Sequence, residues 1–148
     1  MVLQEYNGDP RVKLVFEEEN QFQLGVRPVA ALLRHVQRGY FAVCEGDDFW
    51  CDDLKLEKQY QALVKGGAGL CIGSRYVLKG RNFQPQHLMR NSVSRLDVLS
   101  GFICSTQTIF ARYDANLVSF LEKWTFEKIL GGDRLISLYY SQKDTNGI

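Results

Sequence analysis

The chain carries near its centre an unbroken apolar run, Tyr40-Phe41-Ala42-Val43-Cys44, which the sequence breaks abruptly with Glu45-Gly46-Asp47-Asp48. A run this short, with no polar alternation, suits a strand buried on both faces. Such a strand needs helices above and below it, and helical patterns flank it on both sides. Upstream, Pro28 suits a first helical position. Val29, Leu32, Leu33 and Val36 then form one stripe, with Gly39 as the stop. Downstream, Asp52 or Asp53 suits a cap, and Leu56, Tyr60, Leu63 and Val64 form the next stripe up to Gly66-Gly67.

The rest of the chain repeats this alternation. Strands are predicted near residues 11–16, 40–44, 69–77 and 104–110. Helices are predicted near 28–38, 53–65, 114–124 and 133–141, with Asp114 as a cap. Leu117, Phe120, Leu121 and Trp124 face inward on the third helix, and Leu135, Leu138 and Tyr139 on the fourth. The stretch from Leu78 to Gly101 has no clear period, although 86–99 suits a helix. Strands alternating with helices predict an α/β sandwich around a mostly parallel sheet. At 148 residues the chain suits a single domain over 1–148.

Composition narrows the function. Lys+Arg of 18 against Asp+Glu of 17 gives a net charge of +1, so nothing points to nucleic acid. Hydrophobic residues at 45% and charged residues at 24% fit a globular protein rather than a disordered one. No apolar run reaches the roughly 18 residues of a membrane helix, and the first residues have no signal-peptide pattern. Cys44, Cys51, Cys71 and Cys104 form no C-x-x-C pair. They read as free, mostly buried thiols of a reducing cytoplasm. His35 and His87 have no Cys or His at ligand spacing and read as structural or solvated.

The acidic turn carries the chemistry. Glu45, Asp47 and Asp48 follow a strand's end, where α/β folds collect ligands. Crowded carboxylates repel one another unless a cation compensates, and hard oxygen ligands suit Mg²⁺ or Mn²⁺. The alternative is a plain acidic turn leading into a capped helix. No G-x-S-x-G or G-x-x-x-x-G-K-[ST] motif competes with it.

Gly39 to Trp50, followed by Lys55-Leu56-Glu57-Lys58-Gln59, closely resembles family 2 glycosyltransferases with the GT-A fold. So do Glu19-Asn20 and Gly25 upstream, and Thr106-Gln107-Thr108-Ile109-Phe110-Ala111-Arg112 and Gly132-Asp133-Arg134 downstream. The resemblance implies a partial GT-A, nucleotide-diphospho-sugar transferase-like sandwich. It also implies transfer of a sugar from a nucleotide-sugar donor to a hydroxyl acceptor, glycan or lipid-linked. By position, Glu45-Gly46-Asp47 takes the place of the family's D-x-D, with Asp47 and Glu45 on the metal; Glu45 replaces the usual Asp. Asp48 is implied to contact the sugar or support the metal ligands. Asp133 matches the family's general base, with a helix cap as the plain alternative. Trp50 stacks on a sugar or packs in the core. Arg112 and Arg75 meet phosphate or form surface salt bridges.

The family's opening strand–helix–strand has no counterpart before Arg11. The chain therefore reads as a truncated transferase, active or a remnant, with uncovered sheet edges that predict a homo-oligomer. A non-catalytic oligomeric binding or assembly module is the second reading. A phosphohydrolase using Asp47 and Asp48 is the third.

Overall fold

A computed structural model describes residues 5–6, 8–21, 23–86, 92–101, 104–124 and 131–143. Along these the elements are α1 (Pro28–Leu33), β1 (Tyr40–Ala42), α2 (Lys55–Gly66), β2 (Leu70–Ile72), β3 (Arg75–Lys79) and β4 (Asn82–Gln86). There follow α3 (Arg95–Leu99), a 3₁₀ turn (Thr106–Thr108), β5 (Ile109–Arg112), α4 (Ala115–Lys123) and α5 (Gly132–Lys143). Among the described residues no helix is long and apolar enough to cross a membrane.

The main sheet has the order β1-β5-β2, and β5 is antiparallel to both neighbours. This corrects the expected mostly parallel sheet. Two strands each antiparallel to a third are parallel to each other, so β1–α2–β2 keeps the direction of a parallel unit. The later strand β5 enters between them in reverse. In the register, Phe41 lies opposite Ala111, and Leu70 opposite Ala111 on the other side. These side chains share one face and join Ile109, Leu117, Leu121, Leu135 and Ile136 in the buried core, covered by α1, α4 and α5. The opposite face meets α2. Tyr40 stacks on Phe110 at 5.5 Å and takes the edge of Tyr60 at 5.2 Å. Strand β1 is shorter and less enclosed than the expected 40–44: it ends at Ala42, only Phe41 is buried, and Val43 is half-buried and Cys44 exposed.

Several other expectations are corrected. Residues 11–16 form no strand: among the described residues nothing pairs with them, and Val12 and Phe16 are exposed. The alternate placing of Val12, Leu14 and Phe16, which suggests a strand, does not make one without a neighbour. The 28–38 helix ends at Leu33, after which His35 and Val36 amides bond three residues back. Its buried residues are Ala30, Ala31 and Leu33, and Leu32 faces solvent. In α2 the buried residues are Gln59 and Leu63, while Leu56, Tyr60 and Val64 are exposed. Gly67 ends α2 in the left-handed conformation, φ 66°, that glycine adopts without steric cost. The 69–77 strand divides into β2 and β3, which belong to different sheets. Thr106–Thr108, expected in a strand, is a 3₁₀ turn ahead of β5. Residues 87–91 of the 86–99 helix, with His87, lie outside the described residues, and the helical part is α3.

The terminal helices follow their signals closely. Asp114 caps α4 by accepting from the Asn116 amide at 2.9 Å. Desolvation would raise the Asp114 pKa, but hydrogen bonds from Lys143 and Asn116 outweigh it and hold the carboxyl at about 2. The thiols are less buried than expected: Cys44 and Cys51 are exposed, Cys71 is half-buried and Cys104 buried.

Candidate functional site

Because β1 and β2 run in the same direction, their carboxyl ends lie at one end of the sheet, beside the start of β5. A cleft of about 760 Å³ opens there. Three segments build it: the acidic turn and following loop, 47–52; the first turns of α2; and the start of the β3–β4 hairpin, with Gln107 and Thr108 at its base.

The acidic turn closes through the Asp48 amide, which donates to the Glu45 carbonyl at 3.1 Å. Glu45 and Asp47 are exposed and Asp48 is half-buried. Asp47 and Asp48 line the cleft. Partial desolvation, then the Asp48 carboxylate, push the Cys44 thiol up, which keeps it neutral. Trp50 is held by its indole N–H, which donates to the Gln107 carbonyl at 3.2 Å, so its ring forms a fixed wall. Gln59 is only 6% exposed. Its amide donates to the Thr108 carbonyl at 2.8 Å and the Cys71 carbonyl at 3.4 Å, tying α2 to the sheet end. The Thr106–Thr108 turn is therefore a hub that orients Trp50 and Gln59 through backbone carbonyls.

The hairpin supplies an apolar wall. Its two-residue turn starts at Gly80, φ 63°, a value that favours glycine. Leu78 pairs with Phe83 and Tyr76 with Pro85, so these four share a face. Phe83 is 56% exposed and meets Phe49 edge-on at 6.2 Å. Pro85 is tolerated because both strands of a lone hairpin are edges. Sequence reasoning missed this wall. Its signal was the strand-favouring Tyr76-Val77-Leu78 before Lys79-Gly80-Arg81-Asn82 and the alternating Phe83-Gln84-Pro85-Gln86 after it.

The cations of the cleft are Lys55, Lys58 and Arg75. Lys58 pairs with Asp52 at 2.7 Å, and Arg75 Nε donates to Gln86 Oε1 at 2.8 Å. Lys55 Nζ donates to Gln59 Oε1 at 2.6 Å and sits 4.5 Å from the centre of the Trp50 ring.

Glu45, on the acidic turn, is not among the residues lining the cleft, and two further sequence-predicted residues lie away from it. Arg112 is opposite Tyr40, at the end of β5 remote from the acidic turn, and is exposed. Asp133 is half-buried in the first turn of α5 and is not among the residues lining the cleft. Its Oδ1 accepts from the Arg134 amide at 2.7 Å. Its charge acts on Arg27, which is 4% exposed. Burial pushes the Arg27 pKa down, and the Asp133 charge opposes that shift.

Among the described residues no three His, Cys, Asp or Glu side chains converge as a ready-made metal cage. The donor set still fits Mg²⁺ or Mn²⁺, which commonly take one or two carboxylates and complete their shell with water and substrate phosphate. Asp47 and Asp48 on one exposed turn offer such oxygens. The model of the family described as glycosyl transferase family 2 matches residues 1–123. No curated protein and no solved structure matches the chain. Members of the matched family generally use a nucleotide-sugar donor, an acceptor and a divalent metal. With that match over most of its length, and an acidic turn at the mouth of its cleft, the chain belongs to glycosyl transferase family 2.

Proposed function

We propose that the chain transfers a sugar from a nucleotide-diphosphate donor to a hydroxyl on a glycan or lipid-linked acceptor, with the donor in the cleft beside the acidic turn. One observation carries this reading: Asp47 and Asp48, on the turn that follows β1, line the same cleft as Lys55 and Arg75. That mixture of charges suits a metal-bound diphosphate better than a purely acidic or basic site would. Asp47 holds the cation, with Glu45 and Asp48 beside it on the turn. The cation, when bound, neutralises charge on the departing diphosphate. Trp50, pinned by Gln107, offers a flat face for the sugar.

In the transfer, the bond from the anomeric carbon to the diphosphate oxygen breaks as the acceptor oxygen bonds to that carbon. The hydroxyl proton passes to a base. Asp133 is the proposed base on the sequence pattern alone. A base must come within about 2.6–3.2 Å of the proton in a productive complex. Asp133→Asn tests the assignment. Lost transfer with intact donor binding supports it, while lost stability with unchanged transfer reduces Asp133 to a neighbour of Arg27.

The overall reading is tested by incubating the protein with nucleotide sugars, acceptor glycans and Mn²⁺. Metal-dependent transfer supports it; failure of every nucleotide sugar to bind overturns it. A second reading is favoured by the exposed stripe Leu56, Tyr60 and Val64 on α2. In that reading the chain is a non-catalytic module that self-associates. Light scattering across micromolar concentrations tests it: a concentration-independent monomer excludes it.

A further inference from the structure

Lys55 opens α2 and belongs to the motif that follows the acidic turn, yet neither metal binding nor base catalysis uses it. Its ammonium is half-buried in the wall of the cleft. Among the described residues no carboxylate lies within ion-pair distance of it, whereas neighbouring Lys58 has Asp52. Burial pushes its pKa down, as expected for a cation taken from water without a counter-ion. A buried charge is costly unless paired, so a protein that keeps one at a cleft wall gains when an anion arrives.

The surroundings fix where that anion sits. An ammonium has three donors. Gln59 Oε1 takes one, and Gln59 is itself locked by two backbone carbonyls, so the nitrogen is held in place. The Trp50 face covers another side at 4.5 Å and attracts the cation without neutralising it. The cleft is the remaining direction.

We propose that Lys55 is the direct counter-charge for a phosphate of the bound ligand, a second anchor for the diphosphate besides the metal on the acidic turn. The inference rests on the donor site proposed above and adds the residue that grips the diphosphate from the protein side. Because the ammonium lies over Trp50, phosphate capture should also change the tryptophan fluorescence.

The test titrates inorganic pyrophosphate, then UDP and GDP, into the full chain with Mg²⁺, read by calorimetry and tryptophan fluorescence. The variants are Lys55→Gln, Lys55→Arg and Lys58→Gln. Lys55→Gln keeps a donor for Gln59 but removes the charge, and its thermal midpoint is measured alongside. Expected are at least a tenfold loss of affinity and loss of the fluorescence change in Lys55→Gln. Lys55→Arg should recover most of the affinity, and Lys58→Gln should stay within about twofold of the parent. Equal affinities for parent and Lys55→Gln would overturn the assignment and leave the transferase reading standing. Should Lys55→Gln not fold, Lys55→Met takes its place: lost binding by folded Lys55→Met while Lys55→Arg and Lys58→Gln still bind supports the assignment, and normal binding by Lys55→Met overturns it. Pyrophosphate bound through Lys55 without any binding of a nucleotide or nucleotide sugar would keep the anion site and defeat the donor reading. No binding of any anion by the parent overturns the inference.

Discussion

Behind the sheet, Ile109 and Ala111 are sealed beneath Leu117, Leu121, Leu135 and Ile136, whereas at the sheet's end Phe49, Tyr76, Leu78 and Phe83 stand largely in solvent. The two regions meet at the start of β5: Gln107 and Thr108 of the 3₁₀ turn line the cleft, and buried Ile109 follows at once. In the first, apolar area is removed from water and stabilises the fold. In the second, aromatic and charged side chains face the same cleft, which a core would never tolerate. Local sequence chemistry therefore separates a part that holds the protein together from a part that is available to a ligand.

The widest separation between the regions should come from Leu135→Ala. That leucine is fully enclosed, and its truncation leaves a cavity costing about 2–5 kcal/mol. Urea denaturation is expected to show the loss, and every cleft activity should fall with the folded fraction. A loss under about 1 kcal/mol would mean that this face is not the rigid one.

Asp47→Ala should do the reverse. The residue is exposed and supports little packing. Binding of a nucleoside diphosphate in Mn²⁺ is expected to weaken at least tenfold, about 1.4 kcal/mol, with the thermal midpoint unchanged. A sharp fall in midpoint with unaltered metal dependence would make Asp47 a turn residue only.

A smaller effect is expected where α4 and α5 meet. Asp114 both caps α4 and pairs with Lys143. Its folded pKa, about 2, lies below the ordinary 3.8. Its stabilisation is thus complete above about pH 4 and is lost as pH falls from there toward 2. Asp114→Ala should cost about 1 kcal/mol near neutral pH through the lost cap, and should flatten the stability profile in that acid window. Parallel profiles for the two proteins would show that the carboxylate contributes nothing.

Phe83→Ser should barely move stability, by within about 0.5 kcal/mol, since the ring is mostly exposed. If the hairpin forms a wall of the ligand site, affinity for a nucleotide sugar should fall severalfold more than affinity for pyrophosphate. Equal losses for the two ligands would place the hairpin away from the sugar.

What could be read in advance follows the same division. A strand opening at Tyr40, though shorter than the expected 40–44, the acidic break after it, the Asp114 cap and the inward faces of Leu117, Leu121, Leu135 and Tyr139 are set by near neighbours, and these were legible. Pairing is not local. Nothing within Ile109–Arg112 states that it runs between β1 and β2 in reverse, and so the sheet was expected to be mostly parallel. The α2 stripe was misjudged because a polar residue, Gln59, takes a buried position to satisfy the Thr108 and Cys71 carbonyls. Binary patterning assigns such positions to apolar side chains. At the site, the acidic turn was visible as a cluster of like charges. The hairpin wall and the placing of Lys55 against Gln59 and Trp50 were not, because each gains its meaning from elements that are brought together only in the fold.

The most direct measurement is a calorimetric titration of a nucleoside diphosphate into the parent chain and Asp47→Ala, each with Mn²⁺ and with chelator. Saturable binding to the parent that needs the metal and is lost in Asp47→Ala is the expected result. Binding that is indifferent to both metal and Asp47, or no binding by the folded parent, would contradict a donor site at the acidic turn.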